Sequence, residues 1–544
     1  MIIGLSIALT FSACHDLDEL NINPNGPAPE TTDLNLLMPT FITQLGQQVV
    51  SLGFGDLAGV MEHTQKNGWM GGHNTYDWSN ASHSWQPYYA VLRQVDEFHR
   101  KAVESEYEFH QGVALVMKAY TFGMITDLWG DAPYSQALQA ESGGAFLTPV
   151  FDPQRDIYLG ILAGLEQANT LLSKPASEYR NINKTQDILY GGDVTRWRKF
   201  ANALALRYYM RLSVKEPSIA EEGISRIASN PDTYPLITSA AENANVRYIG
   251  NSASDSWPTN MVFNADEYGE YMRRKMAGTL VEAMQTLNDP RLGVWAEKVK
   301  TPLVLVAGTG INRLNNTNGT REVSQDVVTA HETIVEAPVD FDTEYVGLPP
   351  AIAAPSIYNF APDLAQGAYN PHVSQLALMY KEANGPLLLM RLMSAAEVHF
   401  LLSEAALYGW APGDPAAHYA NGVRESFNAW GVGNKFDGYI TGAPYAGIES
   451  IITQKWIASW TAAAESWFDY RRTGLPVLNP GPASVRPAPP LRFYYHFVEE
   501  VSRNTENAET AIGRLEATQY KGSDVSNNSA WSKMWLLQGT GKPY

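Results

Sequence analysis

The chain has 544 residues, of which 45% are hydrophobic and 18% charged, enough apolar material for a large buried core and too much for wholesale disorder. Its formal net charge of −18, from 39 basic and 57 acidic residues, excludes the basic footprint of a nucleic-acid binder and disfavours adsorption on an anionic membrane surface. The single cysteine, Cys14, excludes an internal disulfide and any cysteine-built zinc or iron–sulfur centre.

From the N-terminus, residues 1–13 form a short apolar run ending in small residues, too short to span a bilayer. It reads as a secretory signal, although a basic n-region is missing. Phe11-Ser-Ala-Cys14 has the form of a lipobox, so Cys14 is the expected lipidation site and the new N-terminus. Residues 14–30 are acidic and rich in Asn and Pro, which blocks a helix and predicts an extended tether.

Apolar residues then recur at three- and four-residue steps, the signature of amphipathic helices, over 110–129, 154–173, 194–212, 394–409, 416–430 and 449–468. Asp152 and Pro153 mark one helix start, and Gly130 is placed for a left-handed C-terminal cap. Each helix has one apolar stripe and needs a neighbour, and alanines at 119, 201, 205, 405 and 406 suit close helix contacts. The prediction is a mostly α fold, a degenerate tetratricopeptide-like array of helical hairpins with long irregular loops and a few short strands. The helical frame is expected over about 31–240 and 390–470, with a C-terminal segment at 471–544. Residues 240–390 read as loop-rich and ligand-facing. Within them 301–306 is β-prone and 312–319 reads as a mobile loop, and 476–490 is an irregular Pro-rich excursion.

The segments that carry a resemblance are Asp18-Glu-Leu-Asn-Ile-Asn-Pro-Asn25, Lys118-Ala-Tyr-Thr-Phe-Gly-Met-Ile-Thr-Asp-Leu-Trp-Gly-Asp-Ala-Pro-Tyr134, Phe200-Ala-Asn-Ala-Leu-Ala-Leu-Arg207, Asn288-Asp-Pro-Arg-Leu292, Arg391-Leu-Met-Ser-Ala-Ala-Glu397, Glu465-Ser-Trp-Phe-Asp-Tyr-Arg-Arg-Thr-Gly-Leu-Pro476 and Trp531-Ser-Lys-Met-Trp535. In this order, over nearly the whole mature chain, they resemble the SusD/RagB family, and within it the SusD-like, starch-binding-associated group. Residues 295–385 match nothing in that pattern. The resemblance implies a single domain over 31–544 and a lipid-anchored protein on the outer face of the outer membrane. It further implies a SusC-like TonB-dependent transporter as partner and an oligosaccharide, or a peptide as in RagB-type members, as ligand. It implies no cofactor, no catalysis and no nucleic acid.

Sugar binding needs flat aromatic faces together with amides and carboxylates. Two segments have that composition, and they give the candidates Trp69, Asn74, Tyr76, Trp78 and Trp85, and then Trp257, Asn260 and Tyr268. The opposing reading is that these aromatics pack beneath loops. His63, His73 and His83 are ten apart but match no zinc pattern, so no metal site is expected. Glu397 and Glu404 fall on one side of one helix, either as a catalytic pair or in buried ion pairs with Arg207, Arg211 or Arg471. The latter is the expectation. No nucleophile elbow, phosphate loop or dinucleotide fingerprint is present. A glycoside-active enzyme on a helical scaffold and a purely structural interaction module are the alternatives.

Overall fold

The computed structural model describes residues 33–140 and 143–544. Cys14, the signal segment and the 14–30 tether lie outside the described residues.

Helices α1 (Met38–Gly53), α2 (Gln86–Glu104), α3 (Glu108–Trp129), α4 (Gln154–Leu171), α5 (Val194–Leu212) and α6 (Pro217–Ser229) come first. From α2 to α6 each packs against the next as successive hairpins. α3 is buried on nearly every side, from Phe109 to Trp129, because it lies between α2, α4 and α5. The α4 start is where the sequence puts it, with Pro153 before the first turn. Asp152 ties that start to the preceding turn, since its carboxylate accepts from Tyr134 N and Ser135 N, both at 2.9 Å. Gly130 does end α3 with positive φ. Its ψ of −122° departs from the expected left-handed cap and turns the chain more sharply.

The region 240–390 is more ordered than its composition suggested. It holds β2 (Ala244–Arg247), β3 (Arg274–Met276), α7 (Gly278–Thr286), β4 (Leu303–Val306), β5 (Asn312–Asn315), β6 (Thr320–Ser324), α8 (Gln325–Val335) and β7 (Leu389–Met393). β2 pairs antiparallel with β7, and β3 pairs antiparallel with β1 (Thr64–Lys66). The expected mobile loop at 312–319 is instead a hairpin. β5 and β6 pair antiparallel across it, and β4 adds to β6 in parallel. Leu303, Val323 and Val328 join the sheet to α8 in a small core of their own.

The helical frame resumes with α9 (Ala395–Leu407), α10 (Pro415–Ala429), α11 (Ile448–Ala458) and α12 (Ala463–Thr473). The helix expected over 449–468 is two helices, because Thr461 takes φ 70° and turns the chain between them. Residues 476–490 are irregular as expected, and the stretch that follows them is buried, with Leu491 and Tyr495 fully enclosed.

The frame is pinned by a buried charge network. Arg207 on α5 grips Glu397 on α9 with Nε and Nη2, both at 2.7 Å. Arg211 reaches Glu465 at 2.7 Å and Asp127 at 3.3 Å. Glu404 pairs with Arg472, 2.7 Å away, rather than with the arginines expected for it, and Lys455 pairs with Asp469 at 2.7 Å. Both glutamates on α9 are thus held in ion pairs with guanidinium groups. Burial alone would raise Asp469, but Lys455 and Arg472 outweigh it and hold the carboxyl well below its ordinary value. Arg471 donates to the Asp127 and Leu491 carbonyls, both at 2.7 Å, which fastens the last turn of α12 to the end of α3.

Candidate functional site

Trp69 is the most exposed tryptophan among the described residues, 71% open to solvent. One exposed apolar ring is ordinary on a protein surface, whereas a contiguous exposed patch marks an interaction site. Its backbone takes φ 53°, unusual for a bulky residue.

The β1–β3 ladder puts this ring where it is. Lys66 faces Arg274 across the ladder, and Asn67 N donates to Arg273 O at 3.0 Å, so the chain beyond Asn67 passes over Arg273. The Arg273 guanidinium lies 3.8 Å from the Trp69 ring centroid. One ring face is therefore backed by a cation, which fixes its angle and is worth about 0.5–2 kcal/mol. Arg273 is itself held by Glu270, 3.3 Å away, with Asp266 at 3.8 Å. Glu270 also takes Lys66 at 3.0 Å and Arg274 at 2.9 Å. Burial would raise the Glu270 carboxyl, but Arg274 and Lys66 prevail and draw it down to about 2.

A third segment closes the patch. Asn67 Nδ2 donates to Ala368 O at 3.0 Å, bringing residues 366–368 against β1. Gly367 has φ 83°, and a Cβ there would sit 2.8 Å from Arg273 Cγ and 3.0 Å from Tyr268 O. Only glycine fits between them. Around this junction Tyr268 is half-buried, while Phe263 (42%), Leu364 (69%) and Tyr369 (40%) are open to solvent. The carboxylates of Asp363 and Glu267 push the Tyr268 phenol above its ordinary value. The cations here point inward into ion pairs, and Asp266, Glu267 and Asp363 stand outward on the rim.

Of the eight candidate residues, the structure brings Trp69 and Tyr268 together around Arg273. Asn74 is buried behind them, where its side chain accepts from Lys66 N at 2.9 Å and donates to Lys66 O at 2.8 Å, clamping β1. Asn260 is also buried and accepts from Phe263 N at 2.9 Å, closing the loop that carries that exposed ring. Tyr76, Trp78, Trp85 and Trp257 belong to the core. Trp78 packs edge-on against Trp467 and Phe493, while Trp85 lies tilted against Trp129 and Phe151 and Trp257 lies tilted against Phe54 and Tyr380. Their ring faces meet protein, so the packing reading describes them. Arg273 and Gly367 escaped the sequence reading. The basic run Arg273-Arg274-Lys275 was the available signal for the first.

The three histidines go separate ways. His63 packs on Trp456, and burial draws it down to about 3. His73 contacts Thr64 Oγ1 at 3.0 Å, and His83 meets Asp56 at 3.3 Å and stacks on Phe493. Among the described residues no helix is long and apolar enough to cross a membrane.

With this geometry in hand, a family model described as starch-binding, associating with outer membrane, matches residues 24–496. The chain belongs to the SusD-like family. Solved relatives share the fold at low identity. A chitin-binding protein is 23% identical, with 92% of this chain and 99% of that one covered and a TM-score of 0.69. A SusD homologue of Bacteroides fragilis is 23% identical over 91% and 99%, with a TM-score of 0.66. A chitin-binding SusD homologue of Flavobacterium johnsoniae is 17% identical over 92% and 99%, with a TM-score of 0.64. No curated protein sequence matches the chain. The SusD-like assignment agrees with the helical-hairpin frame, and the Trp69 patch lies on the segments that the frame holds outward.

Proposed function

We propose that this SusD-like protein captures an oligosaccharide at the Trp69 patch and passes it, unaltered, to a SusC-like TonB-dependent transporter. The observation that carries the reading is the exposed indole of Trp69, backed on one face by Arg273 and open on the other. A pyranose presents a flat array of C–H groups, and a fixed aromatic plane receives it with little loss of side-chain entropy. The acidic rim suits an uncharged glycan better than a polyanion. Acylation of Cys14 would hold the protein at the outer membrane, in keeping with the family's association with that membrane. The chitin-binding relatives support a glycan rather than a peptide as ligand.

Isothermal calorimetry of the mature protein against neutral oligosaccharides of starch and chitin type, with chromatography of the recovered sugar, tests the reading. Binding with the glycan recovered intact is expected. Release of shorter products would make the protein an enzyme, and binding of peptides in place of glycans would make it a RagB-type carrier.

A further inference from the structure

Arg391, on β7, differs from the arginines of the buried charge network. Arg207, Arg211 and Arg472 each meet a carboxylate, whereas Arg391 has none at ion-pair distance among the described residues. Its Nη1 donates to Leu389 O at 3.2 Å and Thr461 Oγ1 at 3.3 Å, and its Nη2 to Leu387 O at 2.9 Å. A guanidinium has five N–H groups in a rigid fork. Nε has no acceptor among the described residues, and Nη2, on the same edge of the fork, has one acceptor for its two hydrogens. The group also lies over the Trp430 ring, its carbon 4.1 Å from the centroid.

A cavity of about 50 Å³ opens beside this group, between α9, α10, α11 and β7, with Asn243, Ser394, Trp430, Ala458 and Ser459 also on its wall. By the usual measure of about 10–15 Å³ per water, that is room for about three to five water-sized atoms. The other charged groups facing it are already matched. Glu397 and Glu465 take Arg207 and Arg211, and Lys455 takes Asp469. The cavity thus carries one surplus positive charge, and charges enclosed in a protein are ordinarily paired. Burial lowers Arg391 to about 10, with only the Tyr380 phenol opposing, which agrees with a cation short of a counter-charge.

We infer that this cavity is a binding site for a small carboxylate monoanion of formate or acetate size, received side-on by Arg391. The heavy-atom count fits the space. The planar O–C–O group fits the free edge, which places two parallel N–H donors where one carboxylate accepts both. A halide would satisfy the charge but take up only part of the fork. The site is separate from the Trp69 patch and independent of the glycan reading.

The test uses the full mature protein. Crystals grown without carboxylates and then soaked in sodium formate should show a planar three-atom group on Nε and Nη2 of Arg391. In solution the unfolding midpoint should rise by about 1–2 °C for each tenfold step in formate once the site begins to fill, against sodium chloride at equal ionic strength. Arg391→Met, which keeps length and apolar packing on Trp430, should lose that rise. The soak on the unaltered protein stands even if the variant does not fold. Water alone in the cavity after the soak, an equal rise in chloride, or a rise that survives in Arg391→Met would each overturn the inference.

Discussion

If Trp69 receives the glycan as proposed, replacing it with alanine should separate glycan binding from folding. A sugar ring laid on the free face of the indole removes ~100 Å² of combined apolar surface from water, about 2–2.5 kcal/mol at the usual 25 cal/mol per Å². Alanine would retain little of this, so the dissociation constant should rise about thirtyfold or more. The cost to folding is smaller. The side chain is 71% exposed, and it rests on the Arg273 guanidinium, a contact worth about 0.5–1 kcal/mol at an open site. In a chain of this size that moves the unfolding midpoint by only about 1 °C. Calorimetric titration of the wild type and of Trp69→Ala with the tightest-binding oligosaccharide, beside thermal melts of both, measures the two effects. A dissociation constant within threefold of wild type, in a variant that melts normally, would refute the assignment of this ring to the ligand.

Four further outcomes are expected. Gly367→Ala should weaken glycan binding severalfold without removing any group from the ligand, because the added methyl collides with Arg273 and Tyr268 and tilts the backing of Trp69; titration of this variant checks it. Glu404→Gln should cost about 3 kcal/mol of stability, seen as a lower unfolding midpoint, since it strips the buried Arg472 of one of its two carboxylates. Burial pushes the Glu500 carboxyl up to about 8, so between about pH 4.5 and pH 8 the unfolded chain ionises here while the folded one stays protonated. Stability is then lost as pH rises through that window, and Glu500→Gln should flatten that part of the melting profile. Metabolic labelling with palmitate should mark the wild type and fail to mark Cys14→Ala.

The frame was legible in the sequence because amphipathic stripes report burial directly. The α5 bounds agree with the expectation to the residue, and α4 with its Pro153 start nearly so. The break between α11 and α12 was invisible, since Trp456, Trp460, Ala464 and Trp467 keep a helical step across Thr461 and all four are buried. The β5–β6 hairpin was hidden for the opposite reason. Its residues are mostly polar, with only Leu314 and Val323 apolar, so no alternation of apolar side chains announced a strand. Among the site candidates, aromatic-rich composition could not tell Trp69 from Trp257. Both sit in polar, glycine- or asparagine-bearing stretches, and one is exposed while the other is fully enclosed. What separates them is what packs on each ring: Trp257 meets Phe54 and Tyr380, whereas Trp69 meets the Arg273 guanidinium, roughly two hundred residues further along the chain.

The meeting of three remote stretches at Gly367 bears on how such proteins diversify. Each stretch leaves the junction as a surface turn and returns, so lengthening or shortening one of them re-aims its side chains while the ladder beneath and the helices behind keep their positions. Preference for one polymer over another can therefore drift through small insertions at the periphery, at little risk to folding.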